Sequence, residues 1–177
     1  MRRAVFSLTI VLLLSHVVAQ AQTPSTMQQV FVVKQAFPAM KTIGVLCNTR
    51  NANKILKELT VATSSYALEL VVYDVVAVQN LREQFDKMTS TKKIDILWMV
   101  PDGAADEKFG RRFLEEKSIL KKIPLYSYSV DYVKEGSLLT VGMNDASEIK
   151  IYYNSKVSQM LGISFPAEVQ PKLTPVD

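Results

Sequence analysis

Two short polar stretches interrupt long apolar runs in this 177-residue chain, and both carry side chains suited to holding a small molecule. Asn48-Thr49-Arg50-Asn51-Ala52-Asn53 is rich in amide and hydroxyl groups and leads into a helical pattern, so it offers side-chain hydrogen bonds and free backbone N–H groups. Pro101-Asp102-Gly103-Ala104 presents one carboxylate, Asp102, able to pair with a ligand amine. Ser127-Tyr128-Ser129 closes another apolar run, and Met143-Asn144 closes a fourth. The candidate ligand-binding residues are therefore Asn48, Thr49, Asn51, Asp102, Gly103, Ser127, Tyr128 and Asn144. Each also has a purely structural use. Asn51 or Asn53 can cap the following helix, and Asp102 before Gly103 can shape a turn. Tyr126, Tyr128, Tyr132, Tyr152 and Tyr153 can fill the edges of a core, as Trp98 and Cys47 are expected to do. Glu115-Glu116 reads as the wet face of a helix.

These residue types suit binding and do not form a catalytic set. The only histidine is His16 and the only cysteine is Cys47. Met1-Arg2-Arg3 is a cationic start, Ala4 to Leu14 is almost wholly apolar, and Ala19-Gln20-Ala21 places small residues where a signal peptidase needs them. Residues 1–21 thus read as a secretory signal peptide, too short to span a bilayer, which predicts export to the periplasm. Cleavage near Ala21 removes His16, and with it Ser-His, Cys-His and His-metal chemistry. It leaves one thiol and so no intramolecular disulfide. The reading is of a non-enzyme without metal or cofactor. Loss of Arg2 and Arg3 takes the 21 basic and 17 acidic residues to 19 and 17, a net charge of +2 that gives no electrostatic case for nucleic acid.

The elements that must position the site follow from the pattern. Gln22 to Thr26 is a polar linker, and Met27 to Phe37 a short helix stopped by Pro38. Strand-like runs are expected at Thr42 to Cys47, Leu68 to Val76, Ile94 to Val100, Pro124 to Tyr128 and Leu138 to Gly142. Helical stripes lie between them: Ile55, Leu56, Leu59 and Ala62; then Val78, Leu81, Phe85 and Met88; then Phe109, Phe113 and Leu120. Asp145 opens a last expected helix with Ile149, Tyr153, Val157 and Met160 inward. Residues 27–165 form one domain, and 166–177 an extended tail. Strands alternating with helices imply βαβ units, hence an α/β three-layer αβα sandwich over a mostly parallel five-stranded sheet. The order 2-1-3-4-5 satisfies the right-handed crossover rule. Ligands in such sheets sit beyond the carboxyl ends of the strands where the order reverses, which brings the Asn48 and Asp102 loops together.

The same residues resemble a known family. Ala36-Phe37-Pro38-Ala39-Met40-Lys41-Thr42-Ile43-Gly44-Val45-Leu46-Cys47-Asn48 is similar to the segment that enters the second lobe of ABC transporter substrate-binding proteins of the tryptophan/tyrosine-binding type. Ile94 to Asp102 resembles that family's strand and ligand loop, Ile123-Pro124-Leu125-Tyr126 its next strand, and Val133 to Gly142 its hairpin. The resemblance spans about residues 30–168, with the four matches in order. It implies one lobe of a type I periplasmic binding protein, with Asn48, Thr49 and Asp102 at ligand-contacting positions. It also implies a small solute such as an amino acid, and a membrane permease, a sensor or a second copy as partner. Family members have two lobes, and the chain is expected to lack the first. Cys47 stands where an aromatic is common, and Gly142-Met143-Asn144-Asp145 departs from the usual start of the last helix. Two other classes compete. One is a flavodoxin-like flavin protein, whose phosphate loop the Asn48 to Asn53 stretch faintly matches without its glycine. The other is an interaction domain that uses the top of the sheet as a protein interface.

Overall fold

The computed structural model describes residues 23–176. The expected signal peptide lies outside the described residues. Among them no helix is long and apolar enough to cross a membrane.

The chain runs α1 (Thr26–Ala36), β1 (Thr42–Cys47), α2 (Asn53–Ser65), β2 (Glu69–Asp74), a 3-10 turn at Val78–Asn80, and α3 (Leu81–Thr91). It continues through β3 (Ile96–Trp98), α4 (Lys108–Lys121), β4 (Leu125–Tyr126), α5 (Val130–Glu135) and β5 (Leu139–Met143). Then follow β6 (Ile149–Tyr153), α6 (Ser155–Leu161), a 3-10 segment at Ala167–Lys172 and β7 (Leu173–Pro175). The sheet order is β2-β1-β3-β4-β5-β6-β7. Its first five strands are parallel in the expected order.

Strand β1 is buried along its whole length because helices cover both faces of the sheet. Pleating sends Ile43, Val45 and Cys47 to one face, where they meet Val30, Val33, Leu59 and Ala62 of α1 and α2. Leu46, Leu97 and Leu125 point the other way, onto Leu81, Phe85, Met88 and Leu114 of α3 and α4. Trp98 stacks on Tyr126 at a centroid distance of 3.7 Å, so both are core residues. Ser25 caps α1 through a capping box with Gln28.

Three expectations need correction. The sheet has seven strands, since Ile149–Tyr153 is a strand antiparallel to β5 and not the start of a helix. Ile149 and Tyr153 sit four apart, as on a helix face, yet residues 149–153 also suit a strand whose backbone groups pair with β5. Only Ser155–Leu161 coils into a helix, and Met160 on it is exposed. The segment read as a tail is also structured: Ala167–Lys172 makes a 3-10 turn that buries Val169, and Leu173–Pro175 pairs in parallel with β6. On α4 the expected inner face is displaced. Phe109 is 77% exposed and Leu120 71%, whereas Leu114, Glu115 and Ser118 are buried. Glu115 is thus not part of a wet face.

Candidate functional site

The carboxyl ends of β1 and β3 lie side by side, because the chain leaves β1 for β2 on one side and reaches β3 on the other. The loops after them are tied to each other. The Asn48 backbone N–H donates to Asp102 Oδ2 at 2.5 Å, and the Asn51 side-chain amide donates to the Asp102 carbonyl at 2.8 Å. Asn48 Oδ1 accepts from the N–H groups of Arg50 and Asn51 and so shapes its own loop. Thr49 gives both its N–H, at 2.9 Å, and its hydroxyl, at 2.8 Å, to Asp74 Oδ1 at the end of β2. Those two bonds hold the Asp74 carboxyl below its ordinary pKa. Neither Asn51 nor Asn53 caps α2, whose N-cap position is Ala52, with no side-chain cap hydrogen bond.

Asp102 is 4% exposed, and its carboxylate faces the chain's own backbone. Besides Asn48, the N–H groups of Ala104 at 3.1 Å, Ala105 at 3.0 Å and Asp106 at 3.3 Å donate to Oδ1. This is the turn-shaping use. The carboxylate is occupied by the loops and does not lie open to a ligand amine. Burial raises its pKa, and the N–H donors of Asn48, Ala104 and Ala105 work against that rise. Gly103, at φ +72°, turns the chain, and its N–H donates to Asp106 Oδ1 at 2.7 Å. Gly110 permits α4 to lie on this loop: a Cβ there would stand 2.6 Å from the Ala105 carbonyl oxygen and 2.9 Å from that of Ala104.

The loop after β4 completes the rim. Tyr128 is 36% exposed; its hydroxyl donates to Asp106 Oδ2 at 2.6 Å and lies 3.2 Å from the Tyr132 hydroxyl. The two rings meet edge-on at 5.2 Å, and the Arg111 guanidinium lies 4.0 Å from the Tyr132 centroid. Burial, then Asp106 and Tyr132, push the Tyr128 phenol well above its ordinary pKa. Burial opposes the charged form of Asp106 as well, but hydrogen bonds led by that from Tyr128 leave its carboxyl below the usual range. Ser127 is fully buried and donates to the Ser129 carbonyl, so it faces inward. Asn144 lies beyond, in the β5–β6 turn, where its oxygen accepts from Ala146 and Glu148 N–H and its amide donates to Glu148. The fold therefore gathers Asn48, Thr49, Asn51, Asp102 and Gly103, joins Tyr128 to them through Asp106, buries Ser127, and commits Asn144 to a turn.

Sequence reasoning missed Asp74, Asp106, Arg111 and Tyr132. The signal for Tyr132 was its place four residues after Tyr128. That for Asp106 was weaker, since a carboxylate four residues after another reads as an ordinary solvated pair. A shallow groove of about 200 Å³ runs from Tyr128 and Val130 to Gly142 and Met143 at the same edge. A larger pocket, about 420 Å³, lies at the opposite ends of β1 and β3, between Phe37–Met40, Asp95 and Ile163. Cys47 is buried beneath the rim. Burial, with Asp102 and Asp74 nearby, pushes its thiol up to about 12, so it stays protonated and is no nucleophile. Among the described residues no group of three or more His, Cys, Asp or Glu is placed to hold a metal ion. The arrangement can hydrogen-bond and stack.

A family model described as ABC transporter substrate binding protein matches residues 18–172. No curated protein matches the chain. Solved structures share the fold. A conserved domain protein from Vibrio cholerae superposes with a TM-score of 0.73 at 17% identity, covering 86% of this chain and 60% of its own. The ABC domain from Streptococcus pneumonia in complex with L-Trp gives 0.72 at 22% identity, covering 85% and 61%. The ligand-free, open structure of a substrate-binding protein with adhesive properties from Clostridium difficile gives 0.72 at 18%, covering 87% and 60%. The chain thus spans about 60% of the length of these structures.

Proposed function

The chain belongs to the ABC transporter substrate-binding protein family, and on that premise we propose that it is exported to the periplasm and binds a small solute, an amino acid in the first instance, at the carboxyl ends of β1, β3 and β4. The observation that carries this reading is the junction of the β1–α2 and β3–α4 loops at the crossover of the sheet, made by Asn48 and Asn51 on Asp102. A neighbour of the same fold, in complex with L-Trp, supports the solute class. Asp102 acts here as the residue that positions the loops. Contacts to solute come from the side chains of Asn48, Thr49 and Asn51, from the backbone at Gly103, and from the exposed ring of Tyr128. This rim covers one side of a solute; a permease, a sensor or a second copy of the chain covers the other.

A thermal-shift screen of L-Trp and the other amino acids tests the proposal. A solute at 100 times its dissociation constant stabilises the protein by about 2.7 kcal/mol. Tyr128→Ala weakens the hit about tenfold, a loss of about 1.4 kcal/mol. Titration calorimetry giving equal affinities for the two proteins would remove the rim from the site. Export rests on the sequence of residues 1–21. Protein recovered outside the cytoplasm of a bacterial host should begin near Gln22, and an intact mass that retains Met1 in that fraction contradicts it.

A further inference from the structure

Asp106 has one carboxylate oxygen in the β3–α4 turn and one outside it. Its N–H donates to Asp102 Oδ1 at 3.3 Å and its Oδ1 accepts from Gly103 N–H at 2.7 Å, so both belong to the turn built on Asp102. Its Oδ2 accepts from the Tyr128 hydroxyl at 2.6 Å, within the range of a charge-assisted O–H···O⁻ bond. The turn needs only the first two bonds; the third reaches 22 residues along the chain, to the loop after β4. A phenol has a single proton to donate, so this bond leaves none for a solute. The Tyr128 ring is held from a second side, edge-on to Tyr132 at 5.2 Å, and Tyr132 lies against the Arg111 guanidinium, 4.0 Å from its centroid. Arg111 is fixed by Glu135 at 2.6 Å and donates to the Asp106 carbonyl at 3.4 Å, which closes the circuit on Asp106. Tyr128 also fronts the groove of about 200 Å³ that it shares with Val130, Gly142 and Met143.

We propose that Asp106 is a positioning residue of the solute site, acting through the Tyr128 hydroxyl to hold that ring in the orientation in which a solute meets it. The inference rests on the solute reading above and adds a division of labour within the rim. Tyr128 offers its ring to the solute and its hydroxyl to the protein. A ring already held loses little freedom on binding, whereas one free to turn about its side-chain bonds is ordered at a cost in affinity. Burial works against the Asp106 charge, and the donors led by Tyr128 overcome it, so the acceptor is a carboxylate across the neutral range. Asp102 and Asp106 thus divide the work: the first fastens the β1–α2 and β3–α4 loops, and the second extends that frame to the loop after β4.

The test is a double-mutant cycle with L-Trp as probe, joined to a measurement that needs no solute. Tyr128→Phe keeps the ring and removes the hydroxyl; Asp106→Asn keeps the shape and removes the charge. Each should weaken L-Trp binding about fivefold in titration calorimetry, and the double variant about fivefold also, since both changes break one bond. Two independent structural losses would multiply to about twenty-five-fold. Without solute, the ζ-carbon NMR signal of Tyr128 in tyrosine-labelled protein, identified by its loss in Tyr128→Phe, should shift in Asp106→Asn while those of Tyr66 and Tyr153 stay in place. Multiplying losses, an Asp106→Asn affinity equal to that of the unaltered protein, or an unmoved Tyr128 signal would each overturn the inference. Unaltered protein that binds no L-Trp counts against the solute reading instead, and the NMR signal then decides whether Asp106 holds the ring: a shift upholds it and a fixed signal overturns it.

Discussion

Asp102 and Glu115 are both buried carboxylates flanking the same segment of chain, yet their surroundings are opposite. Asp102, at the end of β3, accepts from the backbone N–H groups of Asn48, Ala104, Ala105 and Asp106, so its charge fastens two loops together. Glu115, two turns into α4, meets the Ser137 hydroxyl and the charges of Arg111 and Glu135 in place of backbone N–H groups. A buried charge solvated by several backbone dipoles is a structural part, whereas one left mainly to desolvation is pushed towards its neutral form. The contrast reverses the sequence-level expectation, which gave Asp102 to the ligand and Glu115 to solvent.

Removing the better-satisfied carboxylate gives the largest effect. Asp102→Ala strands several buried N–H groups and should cost about 3 kcal/mol, read as a lower urea midpoint with an unchanged slope. Asp102→Asn turns one oxygen into a donor that faces other donors, so it should also destabilise the protein, by about 1.5 kcal/mol. A midpoint unmoved by either change would show that the loops do not depend on this residue and would restore the open-carboxylate reading.

Glu115 should behave in the opposite sense. Its folded pKa, raised by burial to about 7, lies above its ordinary 4.5. Between those values the unfolded chain loses the proton and the folded chain keeps it, so stability falls as pH rises through this window and is flat above it. The loss is of the order of 1–3 kcal/mol. Glu115→Gln should abolish that slope and leave the protein more stable than the unaltered one at about pH 8. Urea unfolding at about pH 5 and about pH 8 measures both. Parallel pH profiles for the two proteins would put Glu115 in an environment close to water.

Much of the architecture could be read from local pattern. The continuous apolar run Thr42 to Cys47 marks a strand covered on both faces, and the stripe of Leu81, Phe85 and Met88 marks a helix that buries one side. Because a right-handed crossover leaves few choices, those elements fix the order of the first five strands, and hence that the Asn48 and Asp102 loops meet. The last quarter was less legible. Ile149, Tyr153, Val157 and Met160 repeat every three or four residues, and only the hydrogen bonds that β5 offers make residues 149–153 a strand. The 167–175 segment looks extended in isolation, and its pairing depends on β6 being there first.

What the sequence determined by itself is the alternation of elements, the identity of the buried strands, and the pair of polar loops at their ends, because each is written in side chains within a few residues of one another. Which carboxylate those loops consume, and which the helices bury, was decided only by the tertiary structure. Asp102 is tied to the other loop by a backbone N–H more than fifty residues earlier, at Asn48. Glu115 sits between charged neighbours in sequence, and owes its burial to the packing of α5 and α6 against α4. Neither distance is visible to a local pattern, since the desolvation that sets a carboxylate's role depends on what folds over it.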